Sequence, residues 1–297
     1  MSDVDRPGPP AGDAYDWYRR GTALLESGDP AAAAELLAWV VLEEPAAASV
    51  RESLARALFD ARRYDDAVRE FEVLVELVPD AVNVQGGQLD EVIKPMLPLA
   101  EKLGSIACGL AEAAVARVDV KALGEIASHD VRVLELSALK GVFQKLVHDP
   151  VSYVNAPVLA TQRGVEVALT SDSEAGDHRS LVRVALTLTD GTKVSVAGTV
   201  SGPRDVAKVV EVDGFDVDVP VSDHMAFFRY HDRPGVVGVV GRVLGEADVN
   251  IGGMQVSRDE SGHALIVLTV DTAIPPQQLD TIVGEIGAHS GRAVDLV

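Results

Sequence analysis

The sequence predicts a multidomain protein in which all-α helical hairpin repeats precede an α+β domain and a second α+β domain of ferredoxin-like βαββαβ order. Three observations support this prediction. Residues 14–81 repeat with a period of 34. The middle of the chain carries short apolar runs of β type. From His224 onward, strand and helix patterns follow the order β-α-β-β-α-β.

The composition restricts the possible partners. The chain has 297 residues, with 46 acidic against 26 basic side chains and a formal net charge of −20. A nucleic-acid duplex or an anionic membrane surface attracts basic proteins, so we expect neither partner. The polar, Pro/Gly-rich start predicts a disordered tail over residues 1–13 and no targeting signal. We therefore expect a cytoplasmic protein.

The repeat occupies residues 14–82 and comprises two units, 14–47 and 48–81. Small, apolar and proline positions of the first unit recur 34 residues later, as Trp17/Arg51, Gly21/Ala55, Leu24/Leu58, Ala33/Ala67, Leu37/Phe71 and Pro45/Pro79. The pattern resembles two tetratricopeptide repeats. Residues 1–82 are also about twice as acidic per residue as the remainder, which indicates a piece of a different kind.

A connecting helix is predicted within residues 83–115, where apolar residues between Gln88 and Glu112 recur at helical spacing. The only cysteine of the chain, Cys108, lies in this segment. A single cysteine excludes an internal disulfide and a cysteine-based zinc cluster. We expect it to be a small buried apolar side chain.

The α+β domain is predicted over residues 116–223. Asp190-Gly191 between two alternating runs is a strong hairpin signal. The predicted strands are Val115–Leu123, Val131–Leu134, Val165–Thr170, Leu181–Thr189, Lys193–Ser201 and Val206–Val212. The predicted helices are Leu136–His148 and Asn155–Gln162.

The last domain is predicted over residues 224–297. Its alternating pattern matches the split βαβ plan, in which two helices cover one face of a four-stranded sheet. The predicted strands are Ala226–Tyr230, Asn250–Ser257, His263–Asp271 and Ala293–Val297, and the helices are Pro234–Ala247 and Pro275–His289.

A candidate binding site lies where the first strand of this last domain meets its first helix. Pro234 suits a first helical turn, and Gly235 lets backbone approach a ligand. Free N–H groups at a helix start bind carboxylates. Asp232 could accept from an ammonium group, and Asn250 offers both a donor and an acceptor. Together these groups suit a free amino acid, although Asp and Asn also favour turns for local reasons.

The segment DRPGVVGVVGRVLGEADVNIGGMQVSR resembles an ACT domain, specifically that of long-form D-3-phosphoglycerate dehydrogenases. The resemblance spans about residues 78–297 and includes VPDAVNVQGG, LSALKGVF, SYVNAP, DHRSLVRV and VAGTVSGP. It implies an allosteric domain before the ACT domain, a homodimer or tetramer formed through ACT domains, and L-serine bound between two of them. The implied contacts are Tyr230, Asp232, Arg233, Pro234, Gly235 and Val236 from one chain and Asn250 from the other. Tyr230 could equally be a strand aromatic of the core.

Of the catalytic half of such a dehydrogenase, the resemblance implies that only the final helix remains, at roughly residues 83–104 of the predicted connecting segment. No Gly-x-Gly-x-x-Gly follows a strand, and the glycines at 235, 238 and 241 have the wrong spacing. We expect no cofactor and no metal, because the seven histidines lack metal-ligand spacing. The family's second anion site needs clustered cations. Lys208 and Arg179 remain, but the acidic run 211–218 predicts a weak or missing site.

The leading hypothesis is a non-catalytic, L-serine-sensing regulatory module linked to serine biosynthesis and fused to a tetratricopeptide scaffold. One alternative is an interaction scaffold in which the repeats bind a protein partner and the ACT half serves as a dimerisation base. A further alternative is a regulatory subunit or truncated form of the dehydrogenase.

Overall fold

The computed structural model describes residues 10–77, 90–147, 151–153, 155–202 and 204–296, except for the side chains at 68, 72 and 75–77. Its internal contacts divide the chain into two units, residues 1–82 and 83–297. Most of the predicted tail, Pro79 and the motif VPDAVNVQGG lie outside the described residues. Within these residues, no helix is long and apolar enough to cross a bilayer.

The first unit consists of two helical hairpins, as predicted. Every helix boundary recurs after 34 residues, since the helices are α1 (Ala14–Glu26), α2 (Pro30–Glu43), α3 (Ala48–Asp60) and α4 (Tyr64–Leu77). Asp13, predicted to end the disordered tail, instead caps α1 by accepting a hydrogen bond from the Asp16 backbone N–H at 2.9 Å. The buried core includes Trp17, Leu37 and Leu54.

Small residues at the repeat positions allow the close helix packing that the sequence predicts. Ala33 and Ala67 are almost completely buried. Gly21 faces Leu37, whose Cγ would lie only 2.8 Å from a Cβ at that glycine. Leu37 therefore fills the space that the missing side chain leaves.

The second unit begins with a layer of helices on a six-stranded sheet. The helices are α5 (Met96–Leu110), α6 (Arg132–Gln144) and α7 (Ala156–Gln162). The strands are β1 (Val115–Gly124), β2 (Glu166–Asp172), β3 (Ser180–Leu188), β4 (Lys193–Ser201), β5 (Val206–Val212) and β6 (Phe215–Pro220), in the order β2-β1-β3-β4-β5-β6. The predicted connecting helix is α5, which packs against α6 and the sheet.

One predicted strand in this region was wrong, and one strand was missed. Val131–Leu134 is not a strand: residues 132–134 form the first turn of α6, where Val133 and Leu134 are buried. A four-residue apolar run fits a buried helix as well as a strand. The missed strand is β6, which begins within the acidic run 211–218 and alternates buried Phe215, Val217 and Val219 with exposed residues.

The ferredoxin-like domain forms as predicted. Its elements are β7 (His224–His231), α8 (Val236–Glu246), β8 (Ile251–Arg258), β9 (His263–Val270), α9 (Pro276–Ile286) and β10 (Ser290–Asp295). The sheet order β10-β7-β9-β8 is that of a split βαβ fold. Phe228, Tyr230, Ile266 and Ile282 belong to its buried core.

Cys108 is buried on α5, as predicted, and burial raises the pKa of its thiol to about 11. The thiolate is the reactive form of cysteine, and at pH 8 a thiol with this pKa is almost entirely protonated. We therefore expect Cys108 to be nearly unreactive in the folded protein. We expect Ellman's reagent to react slowly with the native chain and rapidly after denaturation. Fast stoichiometric reaction of the native protein would contradict this.

Candidate functional site

The candidate binding loop connects β7 to α8. Gly235 precedes the helix with a φ of +92°, a left-handed conformation that favours glycine. The first helical hydrogen bond runs from the Val239 N–H to the Gly235 carbonyl at 3.2 Å. No side chain caps α8. The N–H groups of residues 236–238 therefore lack intrahelical partners, and the helix dipole makes this end attractive to an anion.

Asp232 lies beside this helix start and is partly exposed. Its carboxylate accepts a hydrogen bond from Arg258 Nε at 2.5 Å. The Arg258 side chain is 63% exposed, and an exposed ion pair of this kind contributes about 0–1 kcal/mol. A ligand ammonium group could therefore replace Arg258 as the partner of Asp232, because breaking this exposed ion pair costs little free energy.

Tyr230 and Arg233 support the loop from within the domain. Tyr230 is 1% exposed, and burial followed by the nearby Asp232 charge raises the pKa of its hydroxyl, which keeps it protonated. Arg233 donates to the Glu285 backbone carbonyl at 3.0 Å, and Val236 packs in the core. Within one chain Tyr230 is a core residue, and its contact with a ligand stays a prediction.

Asn250 lies at the other end of the sheet. Asn250 directly precedes Ile251. Ile251 pairs with Val270, and Val270 pairs with His224 at the start of β7, so Asn250 lies near that end of β7. Asp232 follows the opposite end of β7. The eight residue steps from His224 to Asp232, at about 3.4 Å each, separate the two levels by roughly 27 Å along the strands. Asp232 and Asn250 of one chain therefore cannot hold the same small molecule.

The predicted anion-site cations both have carboxylate partners. Lys208 Nζ lies 2.8 Å from Asp218, which β6 places beside it. Arg179 forms an ion pair with Glu125, and hydrogen bonds from Arg179 lower the pKa of that carboxyl. Any anion would have to displace these acidic partners.

Three histidines that linear spacing did not connect come together at one end of the ferredoxin-like sheet. They are His231, His263 and His289, and their available ring nitrogens all lie within 4.8 Å of one another. They are separated by 32 and 26 positions in the sequence, so no local motif relates them. The signal that could have found two of them is the strand register, which pairs His231 with His263.

Family models match three consecutive parts of the chain. A tetratricopeptide repeat model matches residues 18–82, the D-3-phosphoglycerate dehydrogenase intervening domain matches 92–213, and the ACT domain matches 224–285. The chain thus combines tetratricopeptide repeats, a D-3-phosphoglycerate dehydrogenase intervening domain and an ACT domain, in that order. The intervening-domain match includes α5 and strands β1 to β5, and the ACT-domain match carries the candidate loop.

Curated relatives named D-3-phosphoglycerate dehydrogenase match most of the chain. The chain is 40% identical to D-3-phosphoglycerate dehydrogenase of Mycobacterium leprae (strain TN) over 261 residues, 88% of this chain and 49% of the relative. The enzyme of the same name from Bacillus subtilis (strain 168) is 31% identical over 222 residues, 74% of this chain and 42% of the relative. The chain thus spans about half the length of these relatives.

The mycobacterial match is longer than the resemblance expected over residues 78–297. The second unit has 215 residues, so a match over 261 residues takes in at least 46 residues of the helical first unit. Similarity to the relative therefore extends into the region that the tetratricopeptide model also matches.

Proposed function

We propose that the chain is a non-catalytic regulatory module that senses L-serine, with the amino acid bound between the ACT domains of two chains. The observation that supports it is the separation of Asp232 from Asn250 within one chain. In the proposed dimer, a suitably placed two-fold axis would bring Asn250 of one copy to Asp232 of the other. The uncapped start of α8 would then bind the carboxylate and Asp232 the ammonium group.

The exposed face of α8 favours such a pairing. Gly238, Gly241 and Gly245 face open space, with no atom within 4 Å of a Cβ built on any of them, and Val237 is 48% exposed. Small residues at this spacing let a second helix approach closely. The copy-to-copy contact would therefore include α8 of each chain.

The assignment as a regulatory module rests on the domains that match. The matching models are repeats, an intervening domain and an ACT domain, and the relatives about twice this length are named dehydrogenases. We therefore propose that this chain binds the effector and does not itself catalyse the oxidation of phosphoglycerate. Measurable NAD-dependent turnover by the purified chain would contradict the proposal.

Calorimetric titration with L-serine should show saturable binding, and D-serine should bind more weakly because its side chain and ammonium group cannot both be placed.

Asn250→Ala should weaken L-serine binding at least tenfold, since the ligand loses its contact from the second chain, while the dimer and its fold remain. Asp248→Asn is the control, because Asp248 is an exposed neighbour with positive φ, a conformation that asparagine tolerates. Absence of heat with millimolar L-serine would refute the proposal.

Mixing two inactive variants tests whether the site is shared. In a heterodimer of Asp232→Asn and Asn250→Ala chains, one site carries both substitutions and the other carries neither. Random pairing should therefore restore about a quarter of the wild-type sites. If Asp232 and Asn250 acted within one chain, mixing would restore none.

The repeats are the basis of a second candidate function, as a scaffold for a protein partner. Exposed aromatic side chains favour it, since Phe59 and Tyr64 are each more than half exposed and their rings lie edge to face at 5.4 Å. Aromatic residues are enriched at protein interfaces. A dimer that binds no amino acid would make this role the better account of the chain.

A further inference from the structure

Next to the candidate amino-acid loop, the ACT domain carries a cluster of imidazoles that are not among the proposed amino-acid contacts. The rings of His231 and His263 stack with centroids 4.5 Å apart, and the His289 ring meets His231 edge to face at 4.6 Å. Their side chains range from partly buried to exposed. No hydrophobic core requires three histidines at such a position, so the cluster needs a different explanation.

Backbone pairing holds the cluster together. The Asp232 N–H donates to the Gly262 carbonyl at 2.9 Å, which makes Asp232 and Gly262 a hydrogen-bonded pair. The adjacent pair, His231 and His263, therefore occupies a non-hydrogen-bonded position, where facing side chains lie closest. The His289 N–H donates to the Arg229 carbonyl at 2.7 Å, which fixes the third histidine beside β7.

One imidazole is already oriented in the way that metal ligands are. Nδ1 of His263 lies 2.8 Å from the Ser261 hydroxyl and 3.5 Å from an Asp259 carboxylate oxygen. Asp259 also accepts hydrogen bonds from the backbone N–H groups of Ser261 and His263. Partners on one ring nitrogen fix the ring and leave Nε2 for a metal, an arrangement typical of histidine ligands in metalloproteins.

We propose that His231, His263 and His289 form a binding site for a divalent transition-metal ion such as Zn²⁺. Three neutral imidazoles suit Zn²⁺, Cu²⁺ and Ni²⁺ rather than Mg²⁺ or Ca²⁺, which prefer oxygen ligands. Zinc binds imidazole nitrogen at about 2.0–2.1 Å. Coordination at this distance requires the three nitrogens to lie closer together than the present 4.8 Å limit, so binding would include rotation of the exposed His231 and His289 side chains. The three ligands leave a fourth position for water or a small ligand.

The test uses the full chain without a polyhistidine tag, titrated with Zn²⁺ and separately with Co²⁺, whose visible absorption reports nitrogen coordination. Excess Mg²⁺ occupies the many exposed carboxylates, so that the measured binding reflects imidazole. We expect one ion per chain. His263→Gln or His289→Gln should weaken binding at least tenfold, and Ser261→Ala about tenfold through loss of its support to His263.

His178→Gln is the matched control, because His178 is an exposed histidine in the intervening domain outside the cluster. It should bind zinc as the wild type does. Asn250→Ala should also keep full zinc affinity, which separates this site from the proposed amino-acid site. The proposal fails if wild-type protein binds no zinc under these conditions, or if the triple glutamine variant at 231, 263 and 289 binds it equally well.

Discussion

Gly141→Ala should destabilise the second unit by about 3 kcal/mol or more. Gly141 lies on α6 where this helix meets α5, and a Cβ there would be 1.8 Å from the Glu101 carbonyl oxygen. The contact is reciprocal, because a Cβ at Gly104 would be 2.2 Å from the Ala138 carbonyl oxygen. Backbone cannot move aside as a flexible side chain can, so the two helices would have to separate. Overpacking of this kind costs 1–3 kcal/mol or more.

The same contact includes a buried hydrogen bond. The Ser105 hydroxyl donates to the Gly141 carbonyl at 3.0 Å, and helix separation would stretch or break it. Far-UV circular dichroism should show a melting temperature lowered by about 6–12 °C for this unit. Tryptophan fluorescence should change little, since Trp17 and Trp39, the only tryptophans of the chain, lie in the first unit.

Gly284→Ala is the control for this prediction. It introduces the same methyl group on α9, where no atom lies within 4 Å of the added Cβ. Alanine has the higher helix propensity, so this variant should be as stable as the wild type or more stable by about 0.5–1 kcal/mol. Equal stabilities of the two variants would show that α5 and α6 can separate without loss.

Glu70→Ala should destabilise the first unit by about 2 kcal/mol. Arg51 occupies the position of the second repeat that Trp17 occupies in the first, and it is 9% exposed. Its guanidinium forms an ion pair with Glu70 and donates to the Pro45 carbonyl at 3.0 Å. Loss of the carboxylate leaves a buried cation with one remaining partner. Removing one partner of a fully buried ion pair lowers the free energy of unfolding by about 3–5 kcal/mol. The Glu70 side chain is 25% exposed, so the expected loss of stability is smaller.

Arg51→Met separates charge from packing. The substitution removes the cation and keeps an apolar stem of similar length, so the free energy of unfolding should change by no more than about 1 kcal/mol. Glu35→Ala, at an exposed position of α2, should change stability by less than about 0.5 kcal/mol. Urea unfolding followed by tryptophan fluorescence measures all three variants. A loss for Arg51→Met as large as that for Glu70→Ala would assign the effect to packing instead.

Local patterns predicted most of the elements because each of them reflects a periodic apolar face. The 34-residue register predicted the two helical hairpins of the first unit, and Asp190-Gly191 predicted the hairpin between β3 and β4. The missed strand β6 had a signal of the same kind. Asp213 and Gly214 both have positive φ, and this Asp-Gly pair joins β5 to β6 as a hairpin turn does. The surrounding acidic residues obscured it.

The sequence by itself determined the order of the domains, the faces of their helices and strands, and the chemistry of the candidate loop around Asp232 and Gly235. Tertiary structure decided which distant residues meet. Strand register brought His231 opposite His263 and placed Asn250 at the opposite end of the sheet from Asp232. Periodicity encodes which face a residue occupies. Pairing between strands far apart in the chain depends on packing of the whole sheet, and it determines which residues lie side by side.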